Sequence, residues 1–137
     1  MKARYLISHT LTCWLLLSGC AKNPVTGKSE LHLISESSEV DLGQRYYEPM
    51  QQMQGGPYLT DHELTHYVKH VGKNLANVSD RPHLNYEFVI LDNPTPNAWA
   101  LPGGKIAINR GLLSQLENEA ELAAVLSHEI EIGRAHV

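Results

Sequence analysis

Residues 119–130 read Glu-Ala-Glu-Leu-Ala-Ala-Val-Leu-Ser-His-Glu-Ile, and His128 with Glu129 is where residue types and spacing point to chemistry. A His followed by Glu on an apolar helix is the front half of the H-E-x-x-H pattern. Residues four apart on a helix differ by only about 40° in rotation and about 6 Å along the axis, so two imidazoles can grip one zinc ion. The Glu beside the first His then faces a metal-bound water as general base and proton shuttle. Here the fourth residue after His128 is Ile132, which has no metal-binding atom. The next His, His136, lies about 80° around and about 12 Å further along an ideal helix, so it serves only if the helix breaks at Gly133. A His-Glu pair alone also ends many ordinary amphipathic helices. Its meaning depends on what surrounds it.

The tail Glu131-Ile132-Gly133-Arg134-Ala135-His136-Val137 has its own explanation. GAGATCGGAAGAGCACACGTC, a sequencing-adapter sequence behind one borrowed G, translates as these seven residues and is followed by TGA. Residues 131–137 are therefore expected to be non-native, and no mechanism is built on them.

The elements that must position the pair come next. A helix is expected to start near Ser35 to Ser38, with Leu42, Tyr46, Met50 and Met53 as its inward stripe and a kink at Pro49. Gly55-Gly56-Pro57 ends it. Thr60 and Glu63 read as a capping box for a second helix whose apolar face is Leu64, Val68, Val71, Leu75 and Val78. His62, His66 and His70 line one side of that helix and are read as a solvated face rather than a metal site. Tyr86 to Leu91 reads as a strand, and Asp92 to Pro96 as a loop. Two short strand-like runs flank Pro102-Gly103-Gly104, which is hairpin chemistry. Leu112 to Leu116 forms a short helical stretch. Asn118 with Glu121 caps the last helix, which turns Leu122, Val125 and Leu126 inward. The order helix, helix, strand, hairpin, helix gives an α+β fold without internal repeats.

The N-terminus is a targeting segment. Basic Met1 to Arg4, an apolar run from Tyr5 to Leu17 and small Ser18-Gly19 form a secretory signal. The run is too short to span a bilayer. Leu17-Ser18-Gly19-Cys20 resembles a bacterial lipobox, which implies cleavage before Cys20 and lipidation of its thiol. More than one acyl chain makes a stable anchor. Ala21 and Lys22 follow, with no Asp to retain the protein at the inner membrane. The expected location is the periplasm, lipid-anchored, with the outer membrane favoured. Cys13 leaves with the signal, so no disulfide to Cys20 is expected. A net charge of −4 without any Lys/Arg-rich block argues against nucleic acid as a partner.

Four segments occur in one order: Asn23 to Gly27; Asn97-Ala98-Trp99-Ala100-Leu101-Pro102-Gly103-Gly104-Lys105 running on to Ile108; Gly111-Leu112-Leu113; and Glu119 to Ile130 with its His-Glu pair. Together they resemble the HtpX/BepA/LoiP-like zinc metallopeptidases, peptidase family forty-eight of the gluzincin type, over most of the chain after Gly19. The resemblance implies a gluzincin-like fold, helices on a small sheet with a hairpin beside the active-site helix. It implies zinc held by two His of H-E-x-x-H and a Glu from a later helix. His128 is then the first ligand and Glu129 the catalytic base, while the second His and the Glu are missing from this chain.

The resemblance also implies that a strand beside the active helix pairs with an extended polypeptide substrate. Asn97, Ala98, Trp99, Ala100, Gly103 and Gly104 are the expected binding residues. A sheet edge offers its backbone to any peptide with little sequence demand. Either Ala98 to Ala100 or Ile106 to Ile108 could be that edge, and a Pro at Ala107 is the corresponding test substitution. The expected organisation is a signal over 1–19, a linker over 20–34, the N-terminal part of a metallopeptidase domain over 35–130 and the tail over 131–137. The expected function is proteolysis of misfolded envelope proteins, with this chain inactive as written. The alternative is a non-catalytic periplasmic lipoprotein that binds unfolded clients.

Overall fold

The computed structural model describes residues 20–22, 29–31 and 35–135, with side chains from 35 to 133. The signal segment, the turn at Asn23 to Gly27 and His136 lie outside the described residues. The chain divides into two units, 1–33 and 34–137. In the first, β1 (Cys20–Lys22) pairs antiparallel with β2 (Ser29–Leu31). Both strands fall within the segment read as a linker. Among the described residues no helix is long and apolar enough to cross a membrane.

The second unit starts with α1 (Glu36–Met53), which Ser35 caps by accepting from the Ser38 N–H. It runs unbroken through Pro49. Its inward residues are not the apolar stripe. Glu39, Gly43, Tyr47 and Gln51 are buried, while Leu42, Tyr46 and Met53 are exposed. Specific contacts choose this register. Gly43 lies against the Pro102 carbonyl, the Tyr47 hydroxyl donates to the Ile106 carbonyl, and Glu39 pairs with Arg81. Larger apolar side chains at these positions would hold the helix off the sheet.

Helix α2 (His62–Asn77) is capped by Asp61, whose Oδ1 accepts from the Leu64 N–H at 2.9 Å. The cap therefore falls one residue after Thr60, and the Thr60–Glu63 box does not form. Val68 and Val71 are buried as expected, but Val78 lies past the helix end and is exposed. His62, His66 and His70 all face solvent. Gly72 brings α2 directly onto β3, where an added Cβ would meet the Phe88 ring at 2.6 Å.

The sheet holds β3 (Glu87–Leu91), β4 (Ala98–Leu101) and β5 (Lys105–Asn109) in the order β3-β5-β4. Parallel β3 and antiparallel β4 flank β5, every residue of which is buried. Gly103 and Gly104, at φ 75° and 80°, make the turn between β4 and β5. Helix α3 (Arg110–Leu113) follows directly, two residues earlier than expected. Asn118 Oδ1 then accepts from the Glu121 N–H at 3.1 Å and opens α4 (Glu119–Ala135). Phe88, Ile90, Ile106 and Ile108 form the core with Val68, Val71, Leu122 and Leu126. The result is the expected α+β fold, with α2 and α4 on one sheet face and α1 on the other.

Candidate active site on helix α4 and the sheet edge

Leu122 and Leu126 anchor α4 in the core at 4 % and 0 % exposure, which fixes the rotation of the helix. His128 consequently faces solvent, while Glu129 is buried. Burial raises the Glu129 carboxyl above its ordinary range, and neighbouring His128 pulls the other way. A carboxyl so tuned is better suited to exchanging protons near neutrality than a free surface Glu. The helix continues through Gly133 to Ala135. Ile132 therefore stays one turn beyond His128, where a second imidazole would be needed.

Among the described residues, no group of three or more His, Cys, Asp or Glu is placed to hold a metal ion. One imidazole beside one carboxylate does not make a zinc site. His128 and Glu129, one imidazole and one carboxyl, therefore do not fit a zinc ion by themselves.

The neighbouring edge strand is settled by pairing. Central β5 is bonded on both sides, so Ile106 to Ile108 offer nothing to a peptide. The end of β3 is covered by the segment after α1: the Tyr58 N–H donates to the Ile90 carbonyl and the Asp92 N–H to the Gly56 carbonyl. Of the two outer strands, β4 is the one that lies beside α4, where Gly133 approaches Ala100 and Leu101. The Asn109 N–H donates to the Asn97 carbonyl at 2.9 Å. By antiparallel alternation Trp99 and Leu101 also bond inward to β5, while the N–H and C=O groups of Ala98 and Ala100 point outward. The Ala107 substitution was thus misplaced. Ala107 is fully buried between Val89 and Trp99, and a Pro there would break the sheet's centre.

On β4, Ala98 and Ala100 turn toward the core beneath α4, and Gly133 approaches the Ala100 Cβ. Trp99 turns the other way and meets Tyr47 edge-on, ring centroids 6.1 Å apart. Gly103 and Gly104 are buried, packed on Val40 and Tyr86; their contacts are internal and turn the chain. Asn97 is exposed at the mouth of the strand.

One feature near the site was not singled out in the sequence. The loop before β4 is strapped to the segment after β5. Asn109 Nδ2 donates to the Thr95 carbonyl, the Gly111 N–H to the Asn93 carbonyl, and Arg110 pairs with Asp92. An added Cβ on Gly111 would sit 2.0 Å from the Pro94 carbonyl oxygen. The strap fixes where the edge strand starts. The run Asn109-Arg110-Gly111 was its signal, a polar cap and a glycine where a strand ends.

The family model for Peptidase family M48 matches residues 62–136, which span α2, the whole sheet, α3 and α4. The chain belongs to peptidase family M48. The mitochondrial metalloendopeptidase OMA1 of Schizosaccharomyces pombe is 35% identical over 107 residues, 77% of this chain and 32% of that protein. The beta-barrel assembly-enhancing protease of Escherichia coli K12 is 30% identical over 108 residues, 78% of this chain and 22% of that protein. A putative beta-barrel assembly-enhancing protease of Vibrio cholerae is 26% identical over 143 residues, covering 98% of this chain and 28% of its own length. The chain thus spans about a third or less of these relatives. The elements matched by the family model are those that carry the His-Glu helix and the β4 edge.

Proposed function

We propose that the parent protein, the natural gene product carrying residues 20–130, is a zinc-dependent metalloendopeptidase that cleaves extended polypeptides, misfolded envelope proteins among them. The observation that carries this reading is the pairing of buried Glu129 on α4 with the open backbone of β4 beside that helix. An edge with two outward residues binds a strand by its main chain, so any unfolded segment qualifies and a folded one does not. Glu129 holds a proton-accepting carboxylate at the N-terminal side of Ile130, and His128 presents one imidazole. Zinc, when bound, would polarise the scissile carbonyl. Its second His and its Glu ligand belong to the native continuation in this proposal, in which residues 131–137 are adapter-derived and this chain is inactive as written.

The same proposal places the parent in the periplasm, anchored through a lipidated Cys20 and favouring the outer membrane. It is supported by the lipobox-like Leu17 to Cys20 alone. Re-sequencing the source gene across codon 131 tests the enzymatic reading: H-E-I-x-H followed by a helical Glu is expected. A native frame that keeps Ile132 and lacks any nearby His would favour a non-catalytic lipoprotein that binds unfolded clients at the same edge.

A further inference from the structure

Helix α1 has two flanks of opposite character. Gln44, Glu48 and Gln52 line a cleft of about 590 Å³ together with Glu87 and Val89 of β3. That flank therefore looks toward the β3 side of the sheet. Leu42, Tyr46 and Met53 stand on the opposite flank at 40%, 51% and 81% exposure, with Met50 half-buried between them and the core. Since the strand order is β3-β5-β4, this apolar flank looks toward the open edge. Gly43 at Pro102 and Tyr47 at Trp99 bring α1 under β4 itself.

We propose that Leu42 and Tyr46 are specificity-determining residues, forming an apolar shelf under the peptide that pairs with β4. The inference rests on the edge-binding reading above and adds the substrate class: extended segments whose alternate side chains are apolar. A strand added to β4 projects its side chains alternately to the two sheet faces. One set points toward α4. The other set points toward α1, beyond Trp99, where Leu42 and Tyr46 lie. Apolar side chains there remove both partners' surface from water, whereas polar ones gain nothing. Such segments are buried in folded proteins and exposed in misfolded ones, which would explain why so much apolar surface is left open on a helix whose buried positions include Glu39 and Gln51.

The test uses the parent protein and two unstructured reporter peptides with one common cleavage sequence. In one the alternate positions on the α1 side are Val or Leu; in the other they are Ser or Gln. Wild type is expected to cleave the apolar peptide with at least tenfold lower KM at similar kcat. Leu42→Ser with Tyr46→Ser should raise the KM of the apolar peptide to that of the polar one, with an unchanged urea unfolding midpoint reporting an intact fold. A preference that survives the double substitution overturns the shelf. Ala100→Pro separates the two readings. If it leaves both peptides cleaved as in wild type, the edge-binding reading itself fails and the shelf with it; if it stops both while the double variant keeps the preference, only the shelf fails.

Discussion

Gly43 of α1 lies so close to Pro102 that a Cβ built on it would stand 1.8 Å from the Pro102 carbonyl oxygen. The obstacle is backbone at a hairpin turn whose Gly103 is itself pressed on Val40. The turn cannot yield without moving β4 and β5. Gly43→Ala should therefore destabilise the chain by about 1–3 kcal/mol or more despite the better helix propensity of Ala. Urea unfolding measures this. An unchanged midpoint would show that α1 does not rest on the hairpin.

The first turn of α1 is held by charge. Arg81 donates to Glu39 and to Glu36, each at 2.8 Å, and Glu39 is only 3% exposed. Removing the guanidinium strands a buried carboxylate, so Arg81→Ala should cost about 3–5 kcal/mol. Arg81→Lys should recover part of it, because an ammonium cannot serve both carboxylates as a planar fork does. Equal stability of Arg81→Ala and wild type would contradict the network.

Acid should weaken the same corner. Hydrogen bonds from His83 and then Arg81 hold the Glu36 carboxyl below its ordinary value of 4.5. A carboxyl lowered on folding adds stability above its unfolded value and loses it as pH falls through the folded one. Half of the Glu36 side chain is exposed, so the effect is small. Wild type should exceed Glu36→Gln in melting temperature near neutral pH, and the gap should close below about pH 4.5. A gap that widens in acid would reverse the sign.

How far the sequence could be read follows from these contacts. The helices, the β3 strand and the Pro-Gly-Gly hairpin were legible because each is written locally, in caps, alternation and turn residues. The face of α1 was not. Its inward positions are set by a glycine contact, a hydroxyl reaching Ile106 and an ion pair to Arg81, none of which an apolar pattern records. The edge strand was undecided for a related reason. Ala98 to Leu101 and Lys105 to Asn109 look alike as runs, and only the parallel pairing of β5 with distant β3 makes one central and the other open. The helix that carries His128 and Glu129 is legible from its own pattern, but Asn109 and Gly111 acquire meaning only when the 92–97 loop folds onto them.

The edge itself is testable in the parent protein. Ala100→Pro removes one outward N–H and no bond to β5, so the sheet should survive. Cleavage of an unfolded protein should fall at least tenfold while any bound metal is retained. Loss of metal together with activity would make β4 a structural strand only.

The anchor rests on Leu17 to Cys20 and is probed by Cys20→Ser. The variant should accumulate unprocessed and should not incorporate labelled fatty acid. Processing and lipid labelling equal to wild type would remove Cys20 from the account.

The central claim is that Glu129 is the base of a zinc peptidase whose first ligand is His128. Its most direct test is Glu129→Gln in the parent protein, with zinc content and cleavage of an unfolded substrate measured on one preparation. The amide keeps the size and burial of the side chain but cannot accept the proton of the attacking water. Cleavage should fall by roughly 10²–10⁴ while zinc stays stoichiometric, and His128→Ala should lose both. A Glu129→Gln protein that binds zinc and cleaves at the wild-type rate would contradict the account.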